Sequence, residues 1–155
     1  MGERKNAELN IVGPLNVSNP NRIGTGDFQA KLLHVEDHDI VSRMTKEMLE
    51  CEGWEVETCS DGEVALEKIS GQTRYDLLLF DYDLPGMNGL ALVRRSRKLA
   101  HRSQTPIVVL SATTLEAAAR HAGADVFLLK PQDIGKLVET IMCLVSKDKP
   151  ESGSA

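Results

Sequence analysis

One stretch constrains this chain more than any other: Asp76 to Gly89, Asp-Leu-Leu-Leu-Phe-Asp-Tyr-Asp-Leu-Pro-Gly-Met-Asn-Gly. Leu77, Leu78, Leu79 and Phe80 run without a polar break, which suits a strand covered on both faces. Asp81 stands where that strand ends. Leu84-Pro85-Gly86 and Asn88-Gly89 then force turns. Open α/β sheets place their chemistry this way, on loops beyond the carboxyl ends of buried strands. A surface acid that merely closes a strand is the alternative on this stretch alone.

The remainder of the chain repeats the pattern. Lys31 to Glu36 reads as a first buried strand ending in two acids, Glu36 and Asp37. A helix follows from Asp39 to Glu52, with Ile40, Met44, Met48 and Cys51 along one face expected to pack inward, and Gly53 stops it. Trp54 to Cys59 alternates as a second strand. Ser60-Asp61-Gly62-Glu63 has the form of a capping box, and the helix it starts turns Val64, Leu66 and Ile69 inward. After Asp81 a third helix spans Gly89 to Ala100. Its Arg94, Arg95, Arg97 and Lys98 read as a solvated face, with partner docking as the sharper option. A strand from Ile107 to Leu110 leads to Ser111, and a short helix from Leu115 to His121 ends at Gly123. The fifth strand, Asp125 to Leu129, closes on Lys130-Pro131. The last helix spans Asp133 to Ser146, with Ile134, Leu137, Val138, Ile141 and Val145 inside.

Five strand-helix units in about 120 residues predict parallel strands joined by right-handed helical crossovers. The expected fold is a single doubly wound α/β domain, a (βα)5 flavodoxin-like sheet with strand order 2-1-3-4-5. Its bounds are 31–147. Residues 1–30, rich in Asn, Gly and Pro, form a mostly irregular arm, in which Ile11 to Val17 could dock on a surface or a partner. Residues 148–155 form a disordered tail.

Composition removes several function classes. A net charge of -5 opposes a nucleic-acid footprint. No apolar run is long enough to cross a membrane, and Arg4-Lys5 is followed by no apolar signal core. Cys51, Cys59 and Cys143 are odd in number and widely spaced, neither a disulfide framework nor a zinc pattern. They are expected to be small buried apolar residues in a cytoplasmic protein.

In the expected topology strands 1 and 3 flank the switch point. Glu36, Asp37 and Asp81 therefore converge, with Ser111 and Lys130 on the far side and Asp83 in the loop. Crowded carboxylates raise one another's pKa, and a divalent cation relieves the repulsion. Oxygen ligands select Mg²⁺ or Mn²⁺. A lysine and a hydroxyl complete a pocket for a small tetra-oxygen anion, and an aspartate there can act as nucleophile and form an acyl phosphate.

At these residues the chain resembles a response-regulator receiver domain of two-component signalling, in the CheY-like superfamily. The likeness covers 31 to 147. It rests on Val35-Glu36-Asp37, Phe80 to Gly89, Leu110-Ser111-Ala112, Gly123-Ala124-Asp125 and Leu129-Lys130-Pro131. The resemblance implies that Asp81 is the phospho-acceptor, that Asp37 ligates the metal directly and that Glu36 stands beside it, often acting through water. It assigns the Asp83 backbone carbonyl to the metal, Ser111 to reporting phosphorylation, Lys130 to pairing with the phosphoryl group, and Phe127 to an aromatic switch. A plain core aromatic is the alternative for Phe127. The peptide before Pro131 is cis in similar domains. A stretch from Ser111 to Lys130 about one helical turn shorter than usual in the family puts the usual output face on the fourth helix in doubt.

The implied function is a phosphorelay receiver rather than a conventional enzyme. It catalyses its own phosphorylation and dephosphorylation at Asp81 with a sensor histidine kinase or phosphotransfer protein as donor. It then signals by protein contacts to an unidentified target, with a homodimer left open. The Asp83 side chain is expected to influence how fast water attacks the acyl phosphate. No DNA-binding domain fits in the remaining residues, which leaves a stand-alone receiver or a piece of a longer chain, Met1 favouring the former. Three alternatives belong to other classes. A haloacid-dehalogenase-like phosphatase would use Asp81 and Asp83, but Leu84-Pro85 departs from its pattern. A flavodoxin-like binding module lacks a phosphate-cradling loop after strand 1. A silent scaffold would not need the full set of acids, Ser111 and Lys130. His38 reads as a lone exposed histidine and His34 as core.

Overall fold

The computed structural model describes residues 29–147. The irregular arm expected over 1–30, save its last two residues, and the tail over 148–155 lie outside them.

Each run of apolar residues identified above forms a short parallel strand. These are β1 (Lys31–Val35), β2 (Glu55–Cys59), β3 (Leu77–Asp81), β4 (Ile107–Ser111) and β5 (Val126–Leu129). They hydrogen-bond in the order β2-β1-β3-β4-β5, so the doubly wound expectation holds. The crossovers are α1 (Asp39–Glu50), α2 (Gly62–Ser70), α3 (Gly89–Lys98), α4 (Glu116–Ala122) and α5 (Leu137–Lys147), with single 3₁₀ turns at Ala100–Arg102 and Ile134–Lys136. No helix among the described residues is long and apolar enough to cross a membrane.

The sheet separates two cores. On one face Leu33, Val35, Leu78, Phe80, Val109 and Phe127 meet Ala65, Ile69, Leu92, Val93 and Ala119 of α2, α3 and α4. On the other, Leu32, Leu77, Leu79, Val108 and Leu128 meet Leu49 of α1 and Leu137, Ile141 and Val145 of α5. All five residues of β3 and of β4 are buried, as a central parallel strand requires. The exposed edge strand β2 is bordered by charge: Glu57 receives Lys68 Nζ at 2.7 Å and the Tyr75 hydroxyl at 2.9 Å. Such charge discourages pairing with another chain.

Four expectations fail here. Of the α1 stripe only Met48, half-buried, packs against the core: Ile40 is 59% exposed and Met44 64%, Cys51 is exposed, and Leu49 is the helix's one buried residue. Turned toward the sheet instead are the small, half-buried Ser42 and Thr45, which let the helix sit close to it. In α2 the cap is Asp61 rather than Ser60. Its Oδ1 accepts from Glu63 N at 2.7 Å and Val64 N at 3.1 Å. Val64 is 44% exposed, and the small Ala65 lies inside in its place. Cys143 is exposed like Cys51, so only Cys59 behaves as a small core residue. Arg97, finally, is no solvated side chain but a clamp, described with the site below.

Candidate active site

The parallel register brings the reactive ends together. Val35 lies beside Phe80, so Glu36 emerges next to Asp81. Asp81 lies beside Leu110, and Ser111 beside Leu129, so Ser111 and Lys130 follow in order across the sheet. Tyr82 N still donates to Leu110 O at 2.8 Å, and Lys130 N to Ser111 O at 2.8 Å, which extends the ladder past each strand end. The start of α3 is pressed against the same edge. A Cβ on Gly89 would stand 2.5 Å from Asp81 O, so only glycine permits this approach. Gly89 N donates to Tyr82 O at 2.9 Å and so closes the loop that carries Asp83.

Glu36, Asp37 and Asp81 each offer a carboxylate oxygen within 4.8 Å of the others. Glu36 and Asp81 are buried and Asp37 is exposed. Lys130 Nζ makes a close ion pair with Asp81 Oδ1 and stays 3.9 Å from Glu36 Oε2. Asp81 Oδ2 accepts from Asp83 N at 3.0 Å. Glu36 Oε1 accepts from His38 N at 3.0 Å. Glu36 Oε2 is buried without a hydrogen-bond partner, which costs free energy as long as it stays so.

Electrostatics follow from that geometry. Burial pushes the Asp81 carboxyl above its ordinary value, although Lys130 and the Asp83 N–H pull against it. Burial does the same to Glu36, and the neighbouring carboxylates add to the rise. Both acids are therefore held in a place that disfavours their charge. Beneath them His34 is buried in β1, as expected, and both ring nitrogens lack partners. Burial and then the charge of Lys130 lower its pKa to about 4, so the ring is neutral at pH 7.

The trio passes a direct test for a hard cation. Oxygen donors cluster at ligand spacing, and one buried Glu36 oxygen is unsatisfied, which a bound ion would correct. Asp83, exposed, joins through its backbone N–H. Ser111 is buried, and its Oγ accepts from Thr113 N at 3.0 Å. Phe127 is already packed inside, 8% exposed. The Lys130–Pro131 peptide is cis. His38 is exposed, yet it caps α1 by accepting from Val41 N at 3.4 Å.

Sequence reasoning missed the small turns that hold these groups. Asp81 and Ser111 each accept from the N–H two residues on, the local turn that Asp and Ser side chains favour. The Asp81-x-Asp83 and Ser111-x-Thr113 spacings carried that signal. It also missed the opposite edge of the sheet. There Arg97 donates to Gly123 O at 2.9 Å, Arg102 O at 3.0 Å and Thr105 O at 2.7 Å, and pairs with Asp125 at 2.7 Å. Arg102, 2% exposed, donates to Ile69 O at 2.9 Å and to Gly71 O and Thr73 O, under the Tyr75 ring.

Known proteins share this arrangement. The family described as the response regulator receiver domain matches residues 32–142. The response regulator ArlR of Staphylococcus saprophyticus is 36% identical over 120 residues, covering 76% of this chain and 53% of that protein. The phosphate regulon transcriptional regulatory protein PhoB of Rhizobium meliloti is 34% identical over 125 residues, covering 78% and 54%. The chain thus spans about half the length of these curated relatives. Among solved structures, a Francisella response regulator receiver domain superposes with a TM-score of 0.72 at 27% identity, covering 78% of this chain and all of the other. The receiver domain of a Pseudomonas aeruginosa sensor histidine kinase superposes at 0.70 and 26%, covering 77% and 99%. It was solved with a magnesium ion coordinated in its active site cleft. With the fold, the acidic edge and a match over most of the described residues in agreement, this chain belongs to the response regulator receiver domain family.

Proposed function

We propose that Asp81 accepts a phosphoryl group from a phosphohistidine on a sensor histidine kinase or phosphotransfer protein, and that the resulting change in charge is the signal. The observation that carries this reading is the under-satisfied acid cluster: a buried Glu36 oxygen without a partner beside a buried Asp81 already paired with Lys130. Buried polar groups are normally satisfied, and perturbed acids in such a place mark functional sites.

Glu36, Asp37 and Asp81, with the Asp83 backbone carbonyl, would hold Mg²⁺, or Mn²⁺ in its place. Bound there, the ion would neutralise phosphoryl oxygens as charge develops on them. The chain's own groups supply the rest. An Asp81 oxygen lone pair attacks phosphorus, the P–N bond to the donor imidazole breaks, and the ring leaves with the bonding pair and takes up a proton. Lys130 shifts its ion pair from the carboxylate to the phosphoryl group. Ser111 Oγ gives up the Thr113 N–H and donates to another phosphoryl oxygen. Phe127, already inside, would register that movement as a change in packing rather than an inward swing. Water then attacks the acyl phosphate, and the Asp83 side chain tunes that rate.

Incubation of the protein with Mg²⁺ and acetyl phosphate, read by intact mass, tests the proposal. One phosphoryl group should be added, be absent in Asp81→Ala and be released by hydroxylamine. Rapid release of inorganic phosphate with no adduct would instead favour the haloacid-dehalogenase-like alternative, whose Asp-x-Asp pair Asp81 and Asp83 resemble but whose pattern Leu84-Pro85 breaks. An Asp83→Asn variant with an unchanged phosphoryl half-life would remove Asp83 from the account.

A further inference from the structure

The exposed stripe of α1 is the largest departure from the sequence expectation. Ile40, Met44 and Cys51 lie within one narrow sector of the helix, at 59% and 64% exposure for the first two. Val41, 38% exposed, and half-buried Met48 border it. The stripe is about 17 Å long at the rise of an α-helix. One end abuts the acidic cluster, since Ile40 lies three residues after Asp37. The other end, at Cys51, lies at the opposite edge of the sheet. Large apolar side chains aligned like this usually mark a contact surface. Among the described residues nothing covers it.

The chain carries a matching occupant. Residues 9–21 contain no charged side chain and hold Leu9, Ile11, Val12, Leu15 and Val17. The described part of the chain starts at Gln29, and its position is favourable. Ala30 O accepts from Glu55 N at 2.9 Å, so the chain passes the turn at Gly53 that follows α1. The N-terminal residues therefore join the domain at the Cys51 end of the stripe. Val17 lies twelve positions before Gln29, a span of up to about 40 Å, more than twice the length to be covered. Tethering makes the encounter intramolecular, at an effective concentration near the millimolar range, so even a weak apolar contact is populated.

We propose that residues 9–17 dock on the Ile40–Met44–Cys51 stripe of the same molecule. They would form a strap over the face of the domain that borders the acidic cluster. The strap would screen that face from a protein while leaving the acids open to small molecules. This inference stands apart from the role assigned to Asp81, because its test needs no phosphoryl donor.

Cys51 is a built-in reporter of coverage. The full-length protein would be treated with N-ethylmaleimide, and the alkylation rate of each cysteine followed by peptide mass spectrometry. A variant carrying Ile11→Asp, Val12→Asp and Leu15→Asp would be treated in parallel. A strap docked about 80% of the time slows Cys51 about fivefold, so Cys51 should react about fivefold faster in the variant. Cys143 on α5 should not change, and buried Cys59 should stay unreactive in both, which shows that the variant is folded. Equal Cys51 rates in the two proteins would overturn the proposal. So would protection that fades on dilution, which would mean a second copy covers the stripe, or a rise at Cys143 as well, which would mean general loosening. As an independent measurement, Val12→Cys should form a bismaleimide cross-link to Cys51 within one chain; cross-links only between chains would also overturn it.

Discussion

The two edges of the sheet bury charge in opposite ways. At the edge formed by the starts of β1, β3, β4 and β5, every buried or half-buried charge is matched. Arg102 is held by the carbonyls of Ile69, Gly71 and Thr73, two of them at the end of α2. Arg97 is held by four carbonyls and Asp125. Asp76 accepts from Lys31 N at 2.8 Å and Asp125 from Ile107 N at 2.8 Å, so both acids finish the sheet ladder. At the other edge Glu36 keeps an orphaned oxygen, and Asp81 is held above its ordinary pKa. Charge at the first edge holds elements together. Charge at the second is kept in an environment that disfavours it and that a bound cation would improve.

The largest test of this contrast lies at the satisfied edge. Arg102→Ala should cost about 3 kcal/mol in urea unfolding, because it strands buried carbonyls and removes the guanidinium from beneath Tyr75. Arg102→Lys keeps the charge but lacks the fork that reaches several carbonyls, and should recover less than half of that loss. A loss under about 1 kcal/mol for the alanine variant would mean that the carbonyls are equally well hydrated and that the two edges do not differ.

At the other edge, a divalent cation should stabilise. Mg²⁺ at thirty times its Kd should add about 2 kcal/mol to the unfolding free energy. Glu36→Gln or Asp37→Asn should remove most of that increment, while Asp125→Asn should leave it intact. An equal gain in all of these proteins would assign the effect to general screening rather than to the trio.

How much of this was legible beforehand depends on what each residue's partner is. Strands β3 and β4 were legible because a strand covered on both faces must be apolar throughout. The site was legible because parallel topology places Glu36, Asp81, Ser111 and Lys130 at one edge once strand order is known. The orientation of α1 was not legible. Periodicity marks a stripe, and it does not say whether the stripe faces the sheet or solvent. Here Ser42 and Thr45 lie inward and Met44 outward. Arg97 and Arg102 were invisible for another reason: their partners are backbone carbonyls, which every residue carries, so no side-chain pattern announces them. The cap of α2 was misplaced by one residue because Ser60 and Asp61 are both good caps, and only the backbone decides which of them reaches Glu63 and Val64.

Glu36 itself sharpens the comparison further. Without divalent cation, Glu36→Gln should stabilise the protein by about 1 kcal/mol at neutral pH, since it removes a buried charge beside two other carboxylates. A destabilisation of similar size would show that the pairing with Lys130 outweighs the burial, and the edge would then count as satisfied.

The smallest effect sets Glu36 against Glu57, two acids on neighbouring strands with opposite shifts. Lys68 first, and then the Tyr75 hydroxyl, draw Glu57 below its ordinary 4.5, whereas burial raises Glu36 above it. For Glu57 the folded pKa is the lower one, so its contribution is present above pH 4.5 and is lost as pH falls through the folded value. Glu57→Gln should therefore cost about 0.5 kcal/mol at pH 7, because the group is partly solvated and screened. The cost should vanish as the pH falls through that lowered folded value. For Glu36 the folded pKa is the higher one. The folded state holds its proton longer, so the charged form weakens the fold only as pH climbs from 4.5 through the raised value. The gain from Glu36→Gln should then be absent near pH 4 and grow toward neutrality. Plotted against pH, the two stability differences should diverge from a common origin near zero, one acid supporting the fold and the other opposing it. Parallel curves would mean that Glu36 is as well satisfied as Glu57, and that the acidic edge is built like the rest of the molecule.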